Sequence, residues 1–330
     1  MRISVMGAGT WGTALAQVLA HNDHDVHLWD INTAILNTLE KERTHHNLPQ
    51  FSLEPSVVLH HQLQEMPVPE MLLVVVPSQV VRNVMQQLTP LSDSIPVVCA
   101  SKGIENNTLL RMSEVISQVG SIPSEQVVSI SGPSHAEEVA RMLPTAAVSA
   151  STNIHLAREV QKVFTTRYFR IYAHDDIVGV ELSGAVKNVI AIAAGICDGI
   201  GFGDNTMAAL ITRGLAEIVR LGVAQGARLE TFSGLSGVGD LVVTANSTLS
   251  RNRYVGKRIG EGATLDTILD EMDMVAEGVK TTRSMFDLSR KVGIEMPICD
   301  QVYEILFNDK EPRKAITELM NRELVDEHHD

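Results

Sequence analysis

The sequence predicts an α/β chain in two parts: a doubly wound parallel sheet over residues 1–180 and an all-α domain over residues 181–330. Three observations carry this. Through the first half, short β-branched or aliphatic runs alternate with amphipathic stretches, the pattern of strands joined by right-handed crossover helices. After about residue 176 the strand candidates cease and helical periodicity takes over. The length, 330 residues, is enough for two separate cores.

The strand candidates are Ile3 to Met6, Val26 to Trp29, Met71 to Val76, Val97 to Ala100, Val127 to Ile130 and Ala146 to Ser149, with a less regular one at Tyr168 to Tyr172. Met71 to Val76 is continuously apolar, as a strand covered on both faces should be. Between them, Trp11, Leu15, Val18 and Leu19 share one helical face, as do Leu109, Met112 and Ile116. In the second half Met207, Leu210, Ile211, Gly214, Leu215, Ile218, Leu221 and Gly222 form a long stripe. Further helices are predicted at about 238–246, 251–261, 264–272, 277–292, 297–307 and 312–320, with Pro297 and Pro312 in first turns. The boundary falls within or just before a helix near Asp176 to Lys187.

Composition narrows the function classes. A formal charge of −13 repels phosphodiester backbones and argues against a nucleic-acid partner. Any anionic ligand then needs a local cluster of Lys and Arg. The three cysteines, Cys99, Cys197 and Cys299, form no CxxC pair and are odd in number, so they read as buried thiols of a reducing compartment rather than a zinc site. The first residues carry no signal-peptide pattern, and no segment offers about 18 uncharged apolar residues, so no membrane span is expected and the cytoplasm is the expected location. Disorder is expected only at the charged, His-rich end from about Glu323 to Asp330.

The chemistry-bearing motifs begin with Gly7-Ala8-Gly9-Thr10-Trp11-Gly12. This G-x-G-x-x-G follows a strand candidate and opens an amphipathic helix, the context of a Rossmann-like dinucleotide site. Gly7 makes the tight turn, Gly9 lets backbone approach a pyrophosphate, Gly12 permits close packing, and the helix N-terminus faces the phosphates. Asp30 ends the second strand, 18 residues after Gly12. At that spacing an acid accepts from the adenosine ribose hydroxyls and repels a 2′-phosphate. With no Lys or Arg before Lys41, this favours NAD over NADP.

Lys187 is the only charged residue from Leu182 to Cys197, with Ser183 one helical turn before it. A lysine in apolar surroundings suits proton transfer to a developing alkoxide; a lysine reaching out from a helix edge is the alternative. Lys102, in Ser101-Lys102-Gly103, follows a strand and so faces the ligand crevice of a doubly wound sheet or lies in a surface loop. In Gly132-Pro133-Ser134-His135-Ala136-Glu137, Ser134 and Glu137 have capping-box spacing, and His135 is a candidate acid or base. Gly234, Gly237 and Gly239 lead into Asp240, a bend that implies close backbone approach or a helix connection. Ser250-Arg251-Asn252-Arg253 reads as a capped helix start able to receive a phosphate, or as a solvated basic turn.

Together the stretches GAGTWGTALA, VVVPSQ, SKGIE, SGPSHAEEVA, SGAVKNVIAIAAGICDGIGFGDNTMAALITRG, GLSGVGDL, STLSRNR and VAEGV resemble the bacterial NAD(P)-dependent glycerol-3-phosphate dehydrogenases, in order and over most of the chain. The resemblance implies that Thr10, Trp11, Lys102, Ala136, Arg251, Val275 and Glu277 contact the cofactor. It implies that Lys102, Gly132, Ser134, Asp240, Ser250, Arg251 and Asn252 contact substrate, and that Lys187 exchanges a proton with the C2 oxygen. It further implies NAD or NADP as cofactor, dihydroxyacetone phosphate and glycerol 3-phosphate as the reacting pair, no catalytic metal, a role in glycerophospholipid synthesis and a homodimer. His135 and the His45–His46 pair match no family role. Two other readings share parts of the pattern: a β-hydroxyacid or 6-phosphogluconate-type dehydrogenase, and a non-catalytic NADH-sensing protein.

Overall fold

Eight strands form one sheet in the order β3-β2-β1-β4-β5-β6-β7-β8. The computed structural model describes every residue except 89–90, 273–274, 325 and 328–330, so part of the His-rich end lies outside the described residues. The strands are β1 (Arg2–Met6), β2 (Asp25–Trp29), β3 (Val58–His60), β4 (Met71–Val74), β5 (Val97–Cys99), β6 (Val127–Ser131), β7 (Thr145–Ala150) and β8 (Phe169–His174). Helices α1 (Thr10–Ala20), α2 (Thr33–Glu42), α3 (Val81–Leu88), α4 (Met112–Gly120), α5 (Ala136–Ala140) and α6 (Ile154–Phe164) connect them. The order reverses direction between β1 and β4, which makes the carboxyl end of β1 the topological switch point where ligands bind in such sheets.

Strand pairing is parallel except at β6–β7, where Ser131 faces Val148 and Ser129 faces Ala150 in antiparallel register. The sequence reading expected parallel strands. The connection explains the difference: α5 has only five residues, too short for a crossover that returns the chain to the starting edge. Two local expectations also change. β3 went unread because it is a three-residue edge strand without full burial. Leu109 is not part of α4; it adopts φ +61° in the turn before it.

The sheet's core is aliphatic. Ile3, Val5, Leu15, Val18, Leu19, Leu28, Leu36 and Leu39 are completely buried together with Phe164 and Phe169. Each buried aliphatic side chain removes about 1.5–3 kcal/mol worth of apolar surface from water, which is how a chain poor in aromatics holds its sheet.

Downstream lie α7 (Ile177–Ile200), α8 (Asp204–Ala224), α9 (Asp240–Asn246), α10 (Arg251–Gly260), α11 (Leu265–Asp270), α12 (Glu277–Val292), α13 (Pro297–Phe307) and α14 (Pro312–Met320). Pro297 and Pro312 open their helices, where a missing N–H costs nothing. By length and composition α7 could cross a membrane, yet 94% of its apolar window is buried inside the protein, as in the core helix of a folded domain. Cys99, Cys197 and Cys299 are all free and buried.

The chain divides into two compact units, Met1–Lys102 with Arg111–Val180, and Gly103–Leu110 with Glu181–Asp330. The division falls inside α7, and Gly103–Leu110 goes with the helical unit although the chain reaches it from β5.

Candidate active site

In the sheet unit, the turn after β1 is shaped by its glycines. Gly7 has φ +114°, and a Cβ there would lie 2.5 Å from the Val75 carbonyl oxygen. A Cβ on Gly12 would lie 1.9 Å from the Gly7 carbonyl oxygen. Gly9, by contrast, has nothing within 4 Å of the position of a Cβ, so its backbone faces open space. No side chain caps the start of α1 at Gly9. The turn therefore has the two features that a pyrophosphate requires, bare backbone that can be approached closely and a helix N-terminus with uncapped N–H groups. A dinucleotide fits these residues.

Asp30 reaches this turn. Its carboxylate accepts from the Ala8 N–H at 2.6 Å and from the Asn32 N–H at 2.7 Å. The turn and the acid at the end of β2 are thus fixed to one another. Behind them lies His45, 4% exposed and stacked on His46 at 4.9 Å. Burial, with help from His46, holds the His45 pKa down, and the Ala8 backbone and Asp30 carboxylate oppose this. Trp11 packs edge-on against Phe169 with its indole nitrogen buried.

A second cluster in the same unit gathers Lys102, Gly132 and Ser134. The Lys102 ammonium donates to the Gly132 carbonyl at 3.1 Å, and the Ser134 hydroxyl donates to the same oxygen at 3.0 Å. Gly132 has φ +147°, and a Cβ there would lie 2.9 Å from the Ala147 Cα. The expected capping box does not form. Helix α5 starts at Ala136 with His135 at the cap position and no side-chain cap bond, because Ser134 turns back to Gly132. Ala136 is buried as the first residue of that helix.

In the helical unit Lys187 lies near the middle of α7 and is 6% exposed. Its ammonium donates to the Asp240 carboxylate and, at 2.8 Å, to the Thr244 hydroxyl. Asp240 is 1% exposed, and the Thr244 hydroxyl in turn donates to the Asp240 backbone carbonyl at 2.6 Å. The sequence isolated Lys187 among apolar residues; the fold supplies the missing counter-charge. Asp240 stands at the first position of α9, brought there by a kinked turn over Leu235–Gly239 in which Gly237 leaves helical geometry. The close backbone approach implied by that glycine run is to the protein itself: a Cβ on Gly237 would lie 2.0 Å from the Phe232 carbonyl oxygen.

Helix α10 supplies the remaining residues. The Ser250 hydroxyl caps it by accepting from the Arg253 N–H. Arg251 is exposed and donates to the Val275 carbonyl at 3.0 Å, which joins two of the expected cofactor contacts; Glu277 follows in the first turn of α12. Asn252 is 8% exposed with both ends of its amide engaged: Nδ2 donates to Asn188 Oδ1 at 2.9 Å, and Oδ1 accepts from the Gly278 N–H at 2.9 Å.

Two residues of these networks escaped the sequence reading. Thr244 lies one helical turn beyond Asp240, a spacing that puts both on one face. Asn188 is adjacent to Lys187 in sequence, and its link to Asn252 ties α7 to α10. The first could have been found by periodicity; the second needs the tertiary contact.

The sequence matches the family model for the NAD-dependent glycerol-3-phosphate dehydrogenase N-terminus over residues 2–157 and that for the C-terminus over residues 176–317. It is 52% identical over 331 residues to a glycerol-3-phosphate dehydrogenase [NAD(P)+] from Geobacter sp. (strain M21), covering 98% of each chain. It is 51% identical to the protein of that name from Citrifermentans bemidjiense, again over 98% of each. Among solved structures, glycerol-3-phosphate dehydrogenase from Coxiella burnetii superimposes with a TM-score of 0.92 at 37% identity, covering 97% of this chain and 99% of that one. This chain therefore belongs to the NAD-dependent glycerol-3-phosphate dehydrogenase family.

Proposed function

We propose that the chain interconverts dihydroxyacetone phosphate and sn-glycerol 3-phosphate, with Lys187 carrying the proton. The observation that carries the reading is a buried ammonium, paired with Asp240 and Thr244, in a chain of this family. Held at the turn from Gly7 to Gly12, a nicotinamide cofactor would supply or take the hydride at C2. The chain's own residues do the rest. Lys187 delivers a proton to the C2 oxygen in the reductive direction and takes it back in the oxidative one, a role that contributes about 10²–10⁴ in rate. Asp240 and Thr244 hold its amine in place. Arg251, at the start of α10, receives the phosphate, and Lys102, Gly132 and Ser134 contact the substrate. The turn from Gly7 to Gly12 holds the pyrophosphate, and Asp30 binds the ribose hydroxyls, which favours NAD. Ala136, Val275 and Glu277 complete the cofactor contacts.

The product serves glycerophospholipid synthesis, and the working form is a cytoplasmic homodimer. Three free, buried cysteines support a reducing location. The test is direct: pure protein with NADH and dihydroxyacetone phosphate should consume NADH absorbance and yield glycerol 3-phosphate. Absence of turnover with this pair, or equal turnover of 6-phosphogluconate or a β-hydroxyacid with NAD, would remove the reading.

A further inference from the structure

Helices α7 and α10 are locked together by glycines from both sides. A Cβ on Gly256 would lie 1.9 Å from the Ile192 carbonyl oxygen, and one on Gly260 would lie 2.5 Å from that of Ile196. In return, a Cβ on Gly195 would lie 2.0 Å from the Arg253 carbonyl oxygen, and one on Gly199 would lie 2.2 Å from that of Lys257. No side chain other than hydrogen fits at these four positions without moving a helix. The rungs Asn188–Asn252, Ile192–Gly256 and Ile196–Gly260 share one register, sixty-four positions apart, so the helices run parallel. The same register sets Lys187 level with Arg251. The interlocked backbones oppose a slip of a whole turn, about 5.4 Å, and leave smaller displacements to be resisted by side-chain ties between the helices.

One end of this contact carries an electrostatic latch. Asp198 accepts from Arg253 Nη2 at 2.9 Å, and its carboxylate lies 3.5 Å from Lys257 Nζ. The side chain of Arg253 is 17% exposed, and its Nε is buried without a hydrogen-bond partner, so Asp198 supplies a counter-charge to a largely desolvated guanidinium. The sequence offers two arginines at the start of α10, and the fold divides their labour: Arg251 stays exposed while Arg253 is committed to α7.

We infer that Asp198 is a positioning residue for the substrate phosphate: by holding Arg253 and Lys257 it clamps α10 onto α7 and fixes the distance between the phosphate receptor at Arg251 and the proton carrier at Lys187. The inference rests on the roles proposed for Lys187 and Arg251. A triose phosphate bridges those two groups, so its phosphate contact depends on the clamp, whereas an unphosphorylated triose uses only the Lys187 end.

The test uses full-length Asp198→Asn and Asp198→Glu, assayed with dihydroxyacetone phosphate and with dihydroxyacetone, alongside NADH affinity by fluorescence and thermal melting. Asp198→Asn should raise KM for the phosphorylated substrate by about tenfold, since a misplacement of about 1 Å caused far from the chemistry can cost up to about 10²-fold. Its kcat/KM for dihydroxyacetone and its NADH affinity should stay near wild type, and Asp198→Glu should recover most of the loss. Equal losses on both substrates, or an unchanged KM, would overturn the inference. Should Asp198→Asn not fold, Lys257→Gln decides by the same comparison, a selective KM rise supporting the clamp and no shift overturning it. The parent assignment fails separately, through a wild-type protein inert toward dihydroxyacetone phosphate.

Discussion

Lys187 and Asp240 lie 53 residues apart in sequence and meet as a buried ion pair, with side chains 7% and 1% exposed. Such a pair is a poor source of net stability, because desolvation offsets much of the attraction. Removing one member, however, strands a buried charge at a cost of about 3–5 kcal/mol. Lys187→Ala should therefore depress kcat by at least about 10² and also destabilise the protein. Lys187→Met combined with Asp240→Leu should regain much of that stability while remaining inactive. Urea denaturation and turnover measured on the three proteins separate the two effects. A single variant as stable as the double would show that the pair is not buried in solution.

Arg251 gives the second prediction. It is exposed, so its replacement should leave the fold intact, while hydrogen bonds to a charged ligand contribute about 1.5–3 kcal/mol each. Arg251→Ala should raise KM for dihydroxyacetone phosphate by about 10- to 100-fold and affect dihydroxyacetone far less. Because Arg251 also touches Val275, NADH affinity should weaken too. Equal losses on both trioses would leave the phosphate without its receptor.

How much of this could be read in the sequence follows from how local each feature is. Strands such as Met71–Val74 and helices such as Glu277–Val292 show themselves because burial on two faces or on one stripe imposes a composition on consecutive residues. The glycine turn after β1 is legible for the same reason, since its strand, turn and helix are contiguous. What stayed hidden depends on contacts across the chain. The antiparallel run of β7 follows from the length of α5, and the edge position of β3 deprives it of a buried pattern. Ser134 has the spacing of a capping residue, yet its hydroxyl finds the Gly132 carbonyl instead. The counter-charge of Lys187 and the linking role of Asn188 are set by helix packing, which no periodicity in one helix encodes.

Cofactor choice supplies the third prediction. The Asp30 carboxylate is fastened to the Ala8 N–H, so its charge is fixed at the mouth of the turn. A 2′-phosphate placed there meets like charge, and no Lys or Arg follows before Lys41. Wild-type protein should show the higher kcat/KM with NADH, and Asp30→Ala should shift the NADPH-to-NADH ratio upward by about tenfold, the ratio that corresponds to ~1.4 kcal/mol. An unchanged ratio in the variant would mean that Asp30 does not face the ribose.

Glu217 gives a pH dependence of stability whose sign is fixed by its burial. It is 3% exposed in α8, and its carboxylate accepts from the Ile298 N–H at 2.7 Å and the Cys299 N–H at 3.2 Å, capping α13 from a neighbouring helix. Burial pushes its pKa up from 4.5 to about 7, against the pull of those two hydrogen bonds and of Arg220. Between 4.5 and about 7 the folded chain thus holds a proton that the unfolded chain has released. Its contribution is fully present below about pH 4.5 and is lost as pH rises through about 7, a difference on the order of 3 kcal/mol. Glu217→Gln keeps an acceptor for the helix end but has no proton to lose. Its unfolding free energy, measured in urea at pH 5 and pH 8, should fall less between the two than that of the wild type. Parallel declines in both proteins would assign the pH dependence to other groups and leave Glu217 as a cap alone.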